Sequence, residues 1–146
     1  MTDLSKNIQA LREKKAVVEM GGGEAAIEKQ IAMGKLTARD RILSLLDKNS
    51  FHEYDLFVKH DGRDFGMDKK DLPGDGVVTG TGTIFGAPVC IYAQDFTVAG
   101  GSLGLQHARK ITKIMDHALK MKCPIIGIND SGGARCLLYT SDAADD

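Results

Sequence analysis

The run DSGGAR at residues 130–135 is the feature of this 146-residue sequence best suited to chemistry. It follows an apolar run that predicts a buried strand. A Gly-Gly-Ala turn after such a strand can aim the unpaired backbone N–H groups of Gly133 and Ala134 at one point. Donors placed in this way polarise a carbonyl and stabilise the oxyanion or enolate formed from it. Spacing alone leaves an equal alternative, which is a simple strand-to-helix turn.

A second glycine-rich segment, Gly100-Gly101-Ser102, precedes a predicted long helix over residues 102–121. Ser102 is the predicted N-cap of that helix. Because helix N-termini bind anions, the segment could hold a charged ligand. The alternative is a flexible hinge followed by an ordinary serine cap, and spacing alone favours it.

Three cations, Lys35, Arg39 and Arg41, cluster around the start of another predicted helix. They could hold CoA phosphates, although for any one of them the residue type alone favours a solvated helix face. The four histidines have no serine or cysteine partner at a recognisable spacing, so none is assigned a catalytic role. No Cys-x-x-Cys pair or histidine cluster has the spacing of a zinc site, so no metal is expected.

Residues 1–50 have helical patterns. A first helix ends at the glycine run 21–23, a second covers about 24–33, and a third starts at Thr37, whose hydroxyl is three residues before Asp40 as in a capping box. The apolar face predicted for the third helix is Ile42, Leu45 and Leu46. Residues 51–58 are predicted to be extended, and residues 60–73 to form a long surface loop.

The second half predicts an α/β unit. Residues 76–93 form a hairpin, 102–121 a helix and 125–129 a strand buried on both faces. The residues expected on the buried side of the helix are Leu105, Ala108, Ile111, Ile114, Met115 and Leu119. Because ligands bind at the carboxyl ends of strands in open α/β sheets, residues 130–135 occupy a favoured position.

The composition is that of an ordinary globular domain, with 42% hydrophobic and 27% charged residues. A net charge of −1 gives no reason to expect nucleic acid as a partner. No apolar run reaches the roughly 18 residues of a membrane-spanning helix, so membrane insertion is not expected. The charged N-terminus does not look like a secretory signal, and a cytoplasmic location is expected.

Five segments, in order, give the sequence a family resemblance: GGGEAAIEKQ, GKLTARDRI, FGMDKKDLPGDGVVTGTGTI, QDFTVAGGSLG and INDSGGAR. They resemble the carboxyltransferase subunits of biotin-dependent acyl-CoA carboxylases and decarboxylases, of the propionyl-CoA carboxylase β and methylmalonyl-CoA decarboxylase α type. The resemblance covers residues 1–135. It implies a crotonase-like fold of repeated ββα units, incomplete here and preceded by N-terminal helices.

The resemblance also implies the chemistry. Carboxyl would be exchanged between biotin and the α-carbon of an acyl-CoA of the propionyl-CoA or methylmalonyl-CoA class. The backbone N–H groups of Gly133 and Ala134 would form the oxyanion hole. The remaining residues expected at the CoA thioester are Lys35, Arg39, Arg41, Gly100, Gly101, Ser102 and Gly132.

Biotin would ride on a partner protein or domain, with no metal required, and the full-length parent would be a hexamer-like homo-oligomer. The expected organisation is a helical segment (1–50), a partial N-terminal carboxyltransferase domain (51–135) and a non-native tail (136–146), because the family pattern is lost at Cys136. On this interpretation the fragment alone is inactive. The alternatives are a CoA- or nucleotide-binding fragment without catalysis and an inactive truncated fragment.

Overall fold

A computed structural model describes residues 3–135, except for the side chains of residues 64 and 65. The predicted tail, residues 136–146, lies outside the described residues. The main elements are α1 (Asp3–Glu19), α2 (Glu24–Ala32), α3 (Ala38–Leu45), β1 (His52–Tyr54), β2 (Val77–Ile84), β3 (Ala87–Gln94), α4 (Leu105–Met121) and β4 (Ile125–Ile128). Short 3-10 turns cover Asp64–Lys69, Gly74–Gly76 and Ala99–Gly101.

The three predicted N-terminal helices are present, and α3 begins directly after Thr37 but ends at Leu45, earlier than the end predicted near residues 47–50. The Thr37 hydroxyl accepts the N–H of Asp40 and caps α3, as expected for the capping pattern. The glycine run after α1 packs against the segment that follows β3. A Cβ on Gly22 would lie 1.8 Å from the Thr97 carbonyl oxygen, so only glycine allows this approach. The helical segment is thereby attached to the sheet next to the predicted site.

The four strands form one sheet in the order β1-β2-β3-β4. The predicted hairpin is confirmed, with β2 and β3 antiparallel, and Asp47 accepts the N–H groups of its turn residues Phe85 and Gly86. The chain then runs through α4 and returns as β4, parallel to β3. This β-α-β connection places the end of β4 beside the segment that follows β3.

Alternate residues of β3 face opposite layers. Ile91 packs with Ile42 of α3 in one buried cluster, whereas Cys90 packs with Ile114 of α4 in the other. The sheet is therefore enclosed between α3 and α4, and the predicted α/β class is confirmed.

The predicted buried side of α4 is partly wrong. Ile114 is buried, but Leu105, Met115 and Leu119 are exposed. The fully buried polar positions on this helix are instead His107 and Lys110. Both side chains form hydrogen bonds with backbone and side-chain groups from distant segments, which allows them to be buried. A prediction from apolar periodicity cannot include such partners.

Three further predictions need correction. The helix begins at Leu105 with Gly104 as its N-cap, and Ser102 instead donates its hydroxyl to the Ala99 carbonyl at 2.8 Å. Leu45 of α3 is exposed rather than buried. The strand β4 is half-exposed rather than buried on both faces, because it forms the edge of the sheet among the described residues. Within residues 3–135, no helix is long and apolar enough to cross a membrane.

Candidate functional site

The two glycine-rich segments singled out in the sequence are in contact. The Gly132 N–H donates to the Gly100 carbonyl at 2.9 Å. Gly101, with φ 63°, comes so close to the neighbouring segment that a Cβ there would lie 2.2 Å from the Asp130 carbonyl oxygen. We call residues 99–104 the first loop and residues 130–135 the second loop. The loops lie at the carboxyl ends of the parallel strands β3 and β4, as the strand order predicts.

A parallel bridge fixes the direction of the Ala134 peptide. The N–H of Leu103 donates to the Gly133 carbonyl at 2.9 Å, and the N–H of Arg135 donates to the Leu103 carbonyl at 2.8 Å. In such a bridge the central residue, Ala134, turns its own N–H and C=O to the opposite side. Ala134 is an exposed residue, and its N–H faces away from the first loop.

Gly133, the other predicted donor, has a different environment. Its N–H donates to the Ser131 hydroxyl at 3.2 Å, and its φ of 137° is one that residues with a side chain rarely adopt. The Gly133 N–H therefore already has a partner within the second loop. Convergence of both N–H groups on one atom stays a prediction.

Asp130 links the second loop to the N-terminal helices. Its N–H donates to the Gln94 side-chain oxygen at 3.1 Å, and its carboxylate accepts from Lys35 at 2.9 Å and lies 3.1 Å from an Arg41 guanidinium nitrogen. Gln30 lies 3.4 Å from the same carboxylate. Partial burial opposes ionisation, but the bonds from Lys35 and Gln30 and the nearby cations lower the pKa of Asp130.

The three predicted cations therefore separate into two groups. Lys35 and Arg41 meet at Asp130, where the Lys35 ammonium also lies 4.8 Å from the centre of the Phe96 ring. Arg39 instead makes a two-point ion pair with Glu53, with one nitrogen–oxygen distance of 3.0 Å. A cavity of about 210 Å³ lies beside the Arg39–Glu53 pair. Lys35 and Arg41 lie next to the second loop, and Arg39 does not share their carboxylate partner.

Sequence reasoning missed a buried polar cluster beneath both loops. Its centre is Asp75, which is fully buried and lies two residues before the start of β2. One carboxylate oxygen accepts the backbone N–H of His107 at 2.8 Å, in the first turn of α4. The other lies 2.6 Å from the guanidinium of Arg135. Asp75 thus joins the start of α4 to the last residue of the second loop.

His107 is held neutral in this cluster. Burial lowers its pKa to about 4, against the opposing effect of Asp75. Its Nδ1 lies 2.9 Å from the Asp75 carbonyl, which can only accept, so Nδ1 carries the proton. Its Nε2 lies 3.3 Å from the Gln94 amide nitrogen and accepts from it. Through Gln94, His107 is connected to the Asp130 N–H.

Lys110, one turn after His107, completes the buried cluster. Its ammonium donates to the carbonyls of Gly74 at 2.9 Å and Val77 at 2.5 Å, and burial lowers its pKa to about 8. The sequence signals for this cluster are weak: an acid between two glycines (Gly74-Asp75-Gly76) and two polar residues on the face of α4 that packs against the sheet. Among residues 3–135, no group of three or more histidine, cysteine, aspartate or glutamate residues could hold a metal ion.

The family model described as a carboxyl transferase domain matches residues 29–142 of this chain. The chain is similar to the methylmalonyl-CoA decarboxylase subunit alpha of Veillonella parvula, with 58% identity over 135 residues, covering 92% of this chain and 26% of that protein. It is also similar to the mitochondrial propionyl-CoA carboxylase beta chain of Homo sapiens, with 54% identity over 129 residues, covering 87% of this chain and 24% of that protein.

Solved structures agree in fold. The transcarboxylase 12S crystal structure, a hexamer assembly with methylmalonyl-coenzyme A and methylmalonic acid bound, matches with a TM-score of 0.90 and 47% identity over 92% of this chain and 26% of that one. A single-chain, multi-domain long-chain acyl-CoA carboxylase matches in fold with a TM-score of 0.78 and 24% identity, over 89% of this chain and 14% of that one. These neighbours are carboxyltransferases of the crotonase-like fold, which confirms the predicted fold class. The chain spans about a quarter of the length of the curated relatives it matches.

Proposed function

The chain belongs to the carboxyl transferase domain family, and on that premise we propose that the protein it forms part of transfers a carboxyl group between biotin and the α-carbon of an acyl-CoA. The family resemblance inferred from five motifs is confirmed. The substrate class we propose is propionyl-CoA and methylmalonyl-CoA. The names of the similar decarboxylase and carboxylase subunits, and the methylmalonyl-coenzyme A bound to transcarboxylase 12S, support it.

The observation that carries the proposal is the orientation of the Ala134 peptide. Removing a proton or a carboxyl group from the α-carbon of a thioester leaves an enolate, whose negative charge develops on the thioester oxygen. The Ala134 N–H faces away from the first loop. Its direction is fixed because the Gly133 carbonyl of the same peptide and the Arg135 N–H of the next peptide are both bonded to Leu103. Such a fixed donor needs little reorganisation to meet that charge. We therefore assign Ala134, with Gly133 as its neighbour, to the oxyanion hole.

The residues proposed around the CoA thioester follow the same geometry. Gly100, Gly101, Ser102 and Gly132 line the contact between the two loops, where backbone can approach a ligand closely. Lys35 and Arg41 place positive charge beside Asp130, and the Lys35 side chain is 40% exposed, so it could also reach a CoA phosphate. The role of Arg39 at CoA stays a prediction, because its guanidinium is already bonded to Glu53.

Biotin, carried on a partner protein or domain, would supply or receive the carboxyl group. A second half of the subunit would hold it, opposite the acyl-CoA site formed by the residues described above. We further propose a hexamer-like homo-oligomer for the complete protein, a cytoplasmic location, and a reaction that needs no metal. The hexamer assembly of transcarboxylase 12S supports the oligomer.

The test uses a complete carboxyltransferase subunit that contains residues 1–135, a biotinylated carrier and propionyl-CoA or methylmalonyl-CoA. Ala134→Pro removes the N–H, whereas Ala134→Ser keeps it with little change in bulk. Loss of one oxyanion donor costs about 100- to 1,000-fold in kcat, so we expect Ala134→Pro to abolish transfer and Ala134→Ser to retain most of it.

Because proline could also distort the loop, oligomeric state and Tm are measured on the same samples. Replacing the peptide bond before Ala134 by an ester removes the donor without adding a ring. An ester-containing subunit that folds and transfers carboxyl at the wild-type rate would contradict the oxyanion role. Binding of CoA without any carboxyl transfer by the wild-type subunit would favour the alternative of a non-catalytic CoA-binding module.

A further inference from the structure

We propose that the buried Asp75–Arg135 ion pair positions the Ala134 N–H, so that Asp75 and Arg135 are positioning residues for the reaction. This inference rests on the proposed function and deepens it. Neither side chain is required to touch the substrate. The pair acts by holding the second loop against the first loop and against the N-terminus of α4.

Arg135 is fixed through both its backbone and its side chain. Its N–H donates to the Leu103 carbonyl at 2.8 Å, which is one of the two bonds that orient the Ala134 peptide. Its guanidinium donates to the Ser102 carbonyl from two nitrogens, at 2.8 and 3.1 Å. A third nitrogen lies 2.6 Å from the Asp75 carboxylate. The residue after Ala134 is thus anchored to the first loop at two successive carbonyls.

Asp75 connects Arg135 to the buried part of the domain. The residue is fully buried, and its carboxylate accepts the His107 N–H at the start of α4. Its carbonyl accepts from His107 Nδ1 at 2.9 Å and from Arg135 at 3.2 Å. Asp75 also holds a φ of 50°, between two glycines that likewise have positive φ. These contacts connect Arg135 to α4, which packs on the sheet, and to the start of β2.

The energetics favour a positioning role over a purely stabilising one. Removing two charges from water costs about as much as their attraction returns, so a buried ion pair contributes little net stability. The planar guanidinium of arginine contributes geometric specificity instead, because several of its N–H groups bind fixed acceptors at the same time. Here those acceptors are the Ser102 carbonyl of the first loop and the Asp75 carbonyl, and the group they align is the peptide of the neighbouring Ala134.

The experiment uses the complete subunit with its biotinylated carrier and the acyl-CoA. Arg135→Met removes the guanidinium group. Asp75→Asn keeps the shape of the Asp75 side chain but removes its negative charge. A misplacement of about 1 Å in a catalytic group can cost about 100-fold, so we expect kcat to fall by about that factor in Arg135→Met while KM for the acyl-CoA is unchanged. Guanidinium ion added to Arg135→Ala should restore part of kcat.

Two further measurements separate positioning from general loss of structure. Deuterium uptake at residues 130–135 should rise in Arg135→Met while uptake in β2 and β3 stays at the wild-type level. The matched control is Lys113→Met, which breaks an exposed ion pair of 2.8 Å between α4 and Asp55 and should leave kcat unchanged.

The outcomes are distinct. Wild-type kcat in folded Arg135→Met and Asp75→Asn would overturn the inference, and so would a rise in KM with unchanged kcat, which would make Arg135 a substrate-binding residue. Unfolding of both variants would also overturn it, because the pair would then be structural. A wild-type subunit that is inactive would defeat the proposed function instead, and the exchange measurement on the loop would still test the positioning.

Discussion

Two adjacent glycines of the first loop allow a sharp test of how closely the loops must fit. Gly100 and Gly101 share a φ of 63°, so alanine at either position carries the same backbone strain. Their surroundings differ. A Cβ on Gly101 would lie 2.2 Å from the Asp130 carbonyl oxygen, whereas a Cβ on Gly100 would meet nothing within 4 Å.

The size of the effect can be estimated from these distances. The left-handed conformation costs roughly 1–2 kcal/mol for a residue with a side chain, and this penalty applies to both variants. In Gly101→Ala, the Asp130 carbonyl must also move from 2.2 Å to an ordinary contact of about 3.4 Å. The second loop is therefore displaced by roughly 1 Å, which is enough to cost about 100-fold in kcat if that loop carries the oxyanion donor.

The assay measures kcat for carboxyl transfer, KM for the acyl-CoA and the free energy of unfolding for both variants in the complete subunit. We expect Gly100→Ala to lose about 1–2 kcal/mol of stability and to keep a near-normal kcat, with any loss of activity confined to a higher KM because Gly100 is proposed to lie at the CoA thioester. Gly101→Ala should lose about 1–3 kcal/mol more from overpacking, with kcat about 100-fold lower. Equal kcat values in the two variants would refute the reasoning, because the contact between the loops would then be irrelevant to catalysis.

Two other predictions concern stability. Because the pKa of His107 is about 4 in the folded chain against 6.5 for a free histidine, the folded state binds fewer protons than the unfolded state between these values. The free energy of unfolding should therefore fall by about 3 kcal/mol as pH drops from 6.5 to 4, and His107→Asn should lack this component when both are followed by denaturant titration. Thr37→Ala removes the hydroxyl that caps α3, and we expect it to lower the free energy of unfolding by about 1 kcal/mol in the same titration. Thr37→Ser keeps the hydroxyl and should be close to wild type. Equal stability of the two variants would show that the cap contributes nothing.

Much of the fold could be predicted from local patterns. The β-branched residues and the turn at Phe85-Gly86 define the hairpin, and the capping pattern at Thr37 defines the start of α3. Both features depend on residues within a few positions of each other, so their physical basis is contained in the local sequence. The glycine-rich segments are similarly local, and their position after strands indicated where a ligand would bind.

The composition of the site, in contrast, depends on contacts between residues far apart in the chain. Asp75 and Arg135 are 60 positions apart, and Lys35 and Asp130 are 95 apart, so no spacing rule connects them. The same reason explains the errors on α4. Apolar periodicity places Leu119 on the buried side of α4, where the structure exposes it, and does not include His107, which the structure buries.

The sequence by itself thus determined the family, the element types and the two loops, because these follow from motifs and short-range backbone preferences. Only the tertiary structure decided which way the Ala134 N–H points and which side chains hold it there. A polar group such as His107 or Lys110 can be buried only where partners from other segments satisfy its hydrogen bonds, and those partners exist only once the sheet, α4 and both loops have come together.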